Sequence, residues 1–344
     1  MKNLNFIDKF LFFINAIFAL LLFISCFVPL IPVANFAYFS ILSLTVPLLV
    51  LFNLIFLVYW LFKRKRQLLL PAFVLAFGYF ILGNFFRFKL SEEEVKEEDL
   101  SIMSYNVRAF NKFDWIHDVS VGDQIVDLIT AEDPDILCIQ EFSRIRDRQL
   151  KKVYAYKFTT AYALSEKKSI QAIYSKFPII NKGSLDFPDS ANNALFADIV
   201  VNKDTIRVYN LHLESHKIIP SVSRISNEPT GRLLKRLGKS FAKQGKQAEL
   251  VDQHIEATPY KKVVCGDFNN TQFSNVYRVI KGDMNDSFSE KGTGYGRTFN
   301  FRYYPVRIDF ILADEAFKIM AHKNFDLKLS DHFPVMASIK IGSN

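Results

Sequence analysis

Four short strings hold most of the side chains in this sequence that could do chemistry. They are Ser104-Tyr105-Asn106-Val107-Arg108, Gln140-Glu141, Gly266-Asp267-Phe268-Asn269 and Ser330-Asp331-His332. Asn210-Leu211-His212 and Arg307-Ile308-Asp309-Phe310 join them. One carboxylate or amide after an apolar run is usually a turn residue or a helix cap. Four such strings in succession imply carboxylates, amides and imidazoles gathered at one rim of a sheet. That is the composition of a divalent-metal site for cleaving phosphate esters. A hard cation such as Mg²⁺ takes carboxylate oxygen and keeps waters that substrate phosphate can replace. Glu141, directly behind Leu137-Cys138-Ile139-Gln140, offers a carboxylate fixed at such a rim.

The elements that must position these residues are short. Apolar β-type runs at 100–103, 136–139 and 263–265 precede the first three strings, and Phe333-Pro334-Val335-Met336 follows the fourth. Further strands are expected at 172–175, 179–185, 195–201, 205–213, 308–313 and 335–341. Two helices are expected: 118–131, with Val121, Ile125, Leu128 and Ile129 on one face, and 231–257, with Leu233, Leu237, Phe241, Ala248, Val251 and Ile255 on one side; a weaker helical pattern lies near 142–151. Strands that outnumber helices and return after each one fit an α/β sandwich of two sheets with helices outside. Alternation along an extended segment places Asp267 and Asn269 on one side, and Gly266 lets backbone pass close to a ligand.

The strings and their order closely resemble the endonuclease/exonuclease/phosphatase superfamily, which includes pancreatic deoxyribonuclease, abasic-site endonucleases, neutral sphingomyelinases and inositol-polyphosphate 5-phosphatases. The resemblance covers roughly residues 100–341 and implies a four-layer α/β sandwich. It implies Mg²⁺ or Mn²⁺ held by Glu141, with Asn106 and Asp331 near the metal. It makes Asp267 the group that aligns or deprotonates the attacking water. Asn269, Asn210, His212 and Arg108 become contacts to substrate phosphate, and His332, hydrogen-bonded by Asp309, the catalytic imidazole. A histidine at His212 is similar to the deoxyribonuclease-like and sphingomyelinase-like members. The abasic-site branch carries Trp-Arg where this chain has Val306-Arg307. One departure is Ile170-Gln171, where many relatives have glycine before the strand at 172–175. The activity implied is hydrolysis of a phosphodiester or phosphomonoester, with nucleic acid or a phospholipid headgroup as substrate. An inactive receptor that keeps the fold to bind phosphorylated ligands would have shed motif residues, and none is missing.

Charge and hydropathy divide the chain. Residues 1–90 carry eight Lys/Arg against Asp8 alone, whereas 91–344 carry 35 against 34. The high isoelectric point therefore belongs to the apolar N-terminal part and is no argument for nucleic-acid binding. Three apolar stretches, about 10–28, 36–62 and 68–86, are each long enough to be read as a bilayer-spanning helix of about 20 residues. Lys63-Arg64-Lys65-Arg66 between the second and third makes that loop cytoplasmic, which places everything after the third outside the cytoplasm. The expected organisation is a three-helix membrane anchor over 1–90, an acidic linker over 91–99 and a catalytic domain over 100–344. The expected location is a bacterial inner or cell membrane, with residues 10–86 in the lipid and the catalytic domain on the extracytoplasmic side. Eight basic residues against Glu228 between Lys217 and Lys246 form either a polyanion-binding rim or the solvated face of the second helix. Three cysteines are too few for a disulfide framework. Cys138 and Cys265 fall in expected buried strands, where a free thiol is a small apolar group. There is no P-loop, no GxSxG string and no zinc-spaced Cys/His cluster.

Overall fold

The apolar runs become two six-stranded sheets, both within one compact unit made of Phe86–Pro229, Lys246–Asn269 and Val279–Asn344. The structure is a computed structural model and describes residues 4–34, 36–88, 99–160, 168–217, 229–301 and 304–342. The acidic linker, except for Asp99, and the basic residue Arg224 lie outside those residues.

The first sheet has the order β13-β14-β1-β2-β4-β3, with β1 at Leu100–Asn106, β2 at Ile136–Gln140, β3 at Tyr156–Thr159, β4 at Ala172–Ser175, β13 at Lys318–Asn324 and β14 at Val335–Lys340. The second has the order β5-β6-β7-β8-β12-β9, with β5 at Ile179–Asp186, β6 at Asn193–Val201, β7 at Asp204–His212, β8 at Lys261–Asp267, β9 at Asn285–Asp286 and β12 at Asp309–Ala313. Only β1–β2 and β7–β8 pair in parallel; the other pairings are antiparallel. A separate hairpin joins β10 (Phe299–Phe301) to β11 (Tyr304–Val306).

Side-chain alternation explains why the sheets stack. Ile102, Ile136, Cys138 and Ile173 of the first sheet share one buried core with Ala197, Ile199, Val208, Val263, Cys265 and Ile311 of the second. The intervening positions Met103, Tyr105, Leu137, Ile139 and Tyr174 face the other way. There they pack on Val121, Ile125 and Ile129, the apolar stripe of the helix Val121–Glu132. Behind the second sheet, the last turns of the long helix Thr230–Glu256 bury Val251 and Ile255 and bring His254 Nδ1 within 2.9 Å of Tyr209 Oη. The result is two packed sheets flanked by helices. Burying twenty-odd such apolar side chains, at about 1.5–3 kcal/mol each, is the dominant favourable term. Cys138 and Cys265 are both buried and both free.

Strands β3, β9 and β13 and the β10–β11 hairpin were not anticipated. β3 and β13 are edge strands, and β13 (Lys318-Ile319-Met320-Ala321-His322-Lys323-Asn324) alternates too weakly to be read as a strand. Its His322 is spent on Ser287 Oγ (2.9 Å) and Asn324 Oδ1 (3.2 Å).

The second compact unit contains Met1–Phe85 together with Thr230–Gly245 and Asn270–Arg278. Its helices are α1 (Phe6–Ser25), α2 (Leu42–Phe62) and α3 (Leu69–Leu82). Among the described residues, two helical stretches are long and apolar enough by length and composition to cross a membrane, Phe6–Leu30 and Phe39–Phe62. The third expected span, 68–86, is shorter than expected: the helical stretch that contains α3 is Arg66–Leu82, 17 residues and about 25 Å at 1.5 Å per residue, against a hydrocarbon layer of about 30 Å. It stops because Gly83 turns the chain at φ +79°, so the apolar residues beyond it leave the helix. Polar side chains tie α1 to α2. Trp60 Nε1 donates to Asn15 Oδ1 (3.1 Å), Asn53 Nδ2 to the Phe18 carbonyl (3.2 Å) and Tyr59 Oη to Asp8 Oδ1 (2.6 Å). Such bonds fix helix register where apolar packing alone would allow slippage.

Candidate active site

Strand register assembles the site. In the second sheet His212 at the end of β7 lies opposite Asp267 at the end of β8, and Asp267 lies opposite Asp309 at the start of β12. In the first sheet Asn106 ends β1 opposite Gln140, which ends β2 one residue before Glu141. β14 runs antiparallel to β1 with Val335 opposite Ser104, so His332 enters at that same end. Six separate stretches of chain thus deliver their polar residues to one rim.

The contacts close the set. Asn106 Nδ2 donates to Asp267 Oδ2 at 3.1 Å and lies 3.4 Å from Glu141 Oε1, bridging the two sheets. Asp267 Oδ2 is also 3.6 Å from His332 Nε2 and 3.7 Å from His212 Nε2. Asp309 holds His332 through Nδ1, with its two carboxylate oxygens at 3.0 and 3.1 Å. His212 Nε2 is 3.9 Å from Glu141 Oε1, and its Nδ1 is 3.3 Å from Ser169 Oγ. Thr298 Oγ1 accepts from the amides of Ile308 and Asp309, and Ser330 Oγ donates to the Asn106 carbonyl. Sequence reasoning missed Ser169, Thr298 and Ser330 as supports. Only Ser330 stood inside a motif, and nothing in the pattern around the other two marks them.

Backbone strain concentrates here. Glu141 (φ +49°) and Asn269 (φ +49°) occupy the left-handed region, as do the four consecutive residues Arg108 to Asn111. Each non-glycine residue there costs roughly 1–2 kcal/mol. The bonds from Ala109 N–H to the Glu141 carbonyl (2.8 Å) and from Val107 N–H to Gln140 (3.2 Å) offset part of that and fix where Glu141 points. Such strain clusters at active sites.

Three expectations change in detail. Asn269 does not continue β8: the strand ends at Asp267, and a left-handed turn brings Asn269 back. There its amide N–H donates to Asp267 Oδ1 (2.8 Å), and its Nδ2 lies 2.9 Å from the Leu213 carbonyl. Gly266 is required by the neighbouring strand, not by a ligand. Its φ is +134°, and a Cβ there would lie 2.1 Å from the Leu211 carbonyl oxygen. Asn210 lies behind the site. It is fully buried, donates to the carbonyls of Ile139 and Ala172 (both 3.0 Å) and accepts from Gln140 Nε2 (2.6 Å). An amide so engaged joins the two sheets and has nothing left for a phosphate. Arg108 and Asp331 form a more exposed pair at 3.4 Å, with the Arg108 guanidinium 4.3 Å from the Trp115 ring centre.

Burial and charge set the protonation states. Burial pushes the Asp267 carboxyl up to about 7; Asp309 adds to this, while His332 and the amides of Asn269 and Asn106 oppose it. Burial also raises Glu141, with His332 pulling it down and Asp331 up, although 39% of its side chain remains exposed. Burial alone would lower His332, but the carboxylates of Asp309, Asp267 and Asp331 outweigh it and hold the imidazole well above its ordinary value. His212 moves the other way, down to about 3, through burial and the positive His332. One imidazole is therefore charged and the other neutral on either side of Asp267. Divergent pairs of this kind separate acid from hydrogen-bonding roles.

The donor set fits a hard divalent cation. Glu141 and Asp267 present carboxylate oxygens to one space, with Asn106 spanning them, and both are pushed up by burial that a cation would relieve. Asp267, Asp309 and His332 also bring potential ligand atoms within 4.8 Å of one another. In that trio His332 Nδ1 is already committed to Asp309, which suits a positioned imidazole better than a metal ligand.

Residues 103–332 match the family model described as the endonuclease/exonuclease/phosphatase family, and residues 8–85 match a domain of unknown function. Many solved structures share the fold, among them the following three. An endonuclease/exonuclease/phosphatase family protein from Bacteroides thetaiotaomicron is 19% identical, over 70% of this chain and 97% of that one, with a TM-score of 0.53. A mannosyl-6-phosphatase of the same organism is 18% identical over 70% and 99%, with a TM-score of 0.52. D. rerio TDP2 complexed with a single-strand DNA product is 17% identical over 70% and 99%, also with a TM-score of 0.52. No protein of curated function matches the chain by sequence.

Proposed function

The chain belongs to the endonuclease/exonuclease/phosphatase family, a family of phosphate-ester hydrolases, and on that footing we propose that it is a membrane-anchored phosphoesterase dependent on Mg²⁺ or Mn²⁺. The observation that carries this reading is the convergence of Asn106, Glu141, His212, Asp267, Asp309 and His332 at one rim through strand register alone. Glu141, with Asn106 beside it and Asp331 nearby, would hold the divalent ion. When bound, the ion supplies positive charge against the phosphate oxygens and the developing charge on the leaving oxygen. The remaining work falls to side chains. Asp267 aligns the attacking water and accepts its proton, a role suited to a carboxyl raised towards neutrality. His332, kept charged and oriented by Asp309, donates hydrogen bonds to the phosphoryl oxygens. Neutral His212 and the Asn269 side chain line the opposite side, and Arg108 stands at the more open edge as a phosphate contact.

The substrate is a phosphodiester or phosphomonoester in nucleic acid or on a lipid headgroup. The neighbours in fold act on chemistries as different as a mannose 6-phosphate and DNA, so the fold does not choose between them. The deciding assay uses the full-length protein with Mg²⁺ against DNA, RNA, sphingomyelin, phosphoinositides and bis-p-nitrophenyl phosphate. The basic residues of the long helix supply a second arm. Arg232, Lys235, Lys239 and Lys246 are exposed. If they bind a polyanion, neutralising all four weakens nucleic-acid cleavage and flattens its salt dependence, because fewer counterions are released. Unchanged cleavage and an unchanged salt slope would assign them to a solvated helix face.

Membrane anchoring rests on α1 and α2. Their outward positions are apolar and open, including Phe10, Phe13, Leu51 and Ile55, all at least half exposed. The basic loop Lys63 to Arg66 is the orientation signal and sets that end in the cytoplasm, while α3 returns from it to Leu82, which packs with Cys26 and Val46 at the other end of the hairpin. Moving these four basic residues into the 29–35 loop is expected to invert the hairpin, read by cysteine labelling from each side of the membrane. Labelling that stays put would refute the orientation.

A further inference from the structure

The family-like part of the chain does not stay within its own compact unit. Thr230–Gly245 and Asn270–Arg278 belong to the unit of the N-terminal helices, and Asn270 is the residue directly after Asn269. From Asn270 onward the chain is held by the N-terminal segments. Thr271 Oγ1 donates to the Ser43 carbonyl at 3.1 Å, and Asn275 Nδ2 to the Pro29 carbonyl at 2.9 Å. Phe273, 2% exposed, is buried among Ala19, Leu22, Cys26, Val46 and Leu82, with its ring 5.6 Å from that of Phe85.

The long helix joins the same packing. Asn270 Nδ2 donates to Gln244 Oε1 at 2.8 Å. Two helical glycines mark where the loop between α1 and α2 presses closest. A Cβ on Gly245 would meet Val33 Cβ at 2.9 Å, and one on Gly238 would meet the Tyr38 ring at 2.6 Å. Side-chain-free positions facing bulky ones on the partner segment are the mark of a fitted interface, not of a passive tether.

We infer that the N-terminal helices are a positioning element for the Gly266-Asp267-Phe268-Asn269 loop, acting through Phe273, Thr271 and Asn275. The loop leaves β8 in a strained left-handed turn at Asn269, whose N–H orients Asp267. Such a turn holds its geometry only if both flanks are fixed. β8 holds one flank, and the contacts of Asn270, Thr271, Phe273 and Asn275 hold the other. Loss of the second flank would loosen Asp267 without removing any group that touches substrate, and a displacement of about 1 Å can cost on the order of a hundredfold in rate.

The test uses the full-length protein in detergent micelles. Its kinetic arm rests on the phosphoesterase reading; its cross-linking arm does not. Val33→Cys with Gly245→Cys is expected to form an intramolecular disulfide in most molecules on mild oxidation once the two segments part by about 0.6 Å, from the 2.9 Å between Cβ positions to the roughly 3.5 Å a disulfide takes, and the native cysteines are buried. Phe273→Ala is expected to lower kcat at least about tenfold with KM within about twofold, and Phe273→Leu to restore most of it. Should Phe273→Ala fail to fold, Asn275→Ala combined with Thr271→Val carries the kinetic arm with the same kcat-only signature. Absence of the cross-link in a protein that still hydrolyses substrate would overturn the inference. So would a folded Phe273→Ala with unchanged kcat. Absence of hydrolysis in the unsubstituted chain would instead overturn the phosphoesterase reading and the catalytic half of this inference, while the cross-link would still decide the packing.

Discussion

Asp267→Asn will reduce kcat by at least about a hundredfold, the usual cost of losing a positioned acid–base group, without unfolding the protein. The substitution is isosteric. The hydrogen bond from the Asn269 N–H can still be accepted by an amide oxygen, and Asn106 can rotate to pair with it. What disappears is the ability to take a proton and the negative charge between His332 and His212. Stability should move little or upward, because a carboxylate that is 1% exposed carries a desolvation penalty that an amide does not. A catalytic residue therefore has a signature in two measurements, a collapse of kcat and a melting temperature that is kept or raised. Full activity in the Asp267→Asn protein would remove it from the mechanism. A collapse of both quantities would make it a structural residue.

How far the site was legible depended on where its residues sit in the chain. Glu141, Asp267, Asp309 and His332 each lie next to or one residue from an apolar run of three to five residues, and strand periodicity turns that adjacency into a place at a sheet rim. Which rim positions meet is a matter of register, and register between strands distant in sequence is invisible in a single chain. Asn106 and Asp267 are 161 residues apart and share a hydrogen bond. Asn210 shows the opposite failure. It sits in a motif string two residues from His212, and alternation would put both on one face. β7 does turn both the same way, but Asn210 lies one step deeper, where Gln140 and two carbonyls take all its bonding capacity. Position along the strand, not residue type, separates the residue in the site from the brace behind it. The third apolar stretch misled for a related reason. Composition continued to Phe86, but the backbone left the helix at Gly83, and hydropathy does not register a left-handed turn.

Divalent ions will stabilise the full-length protein, and Glu141→Ala will abolish both that stabilisation and the hydrolysis. The rim gathers Glu141, Asp267, Asp309 and Asp331 around a single charged imidazole, since burial keeps His212 neutral and Arg108 is drawn towards Asp331. Carboxylates crowded in this way favour whatever cation can lie between them. An ion that binds only the folded state stabilises it by about 2.7 kcal/mol at a free concentration of a hundred times Kd. For a domain of this size that is a rise of roughly 5 °C in Tm. Titrating Mg²⁺ or Mn²⁺ against thermal unfolding measures the effect without any substrate, so it separates ion binding from turnover. The Glu141→Ala protein should show no rise over the same range and less than about one per cent of the hydrolysis, while EDTA should bring the unsubstituted protein to that same background. Undiminished hydrolysis in EDTA would exclude the ion from the reaction. An undiminished Tm rise in Glu141→Ala would move the ion away from Glu141, towards Asp267, Asp309 and His332, whose potential ligand atoms lie within 4.8 Å of one another.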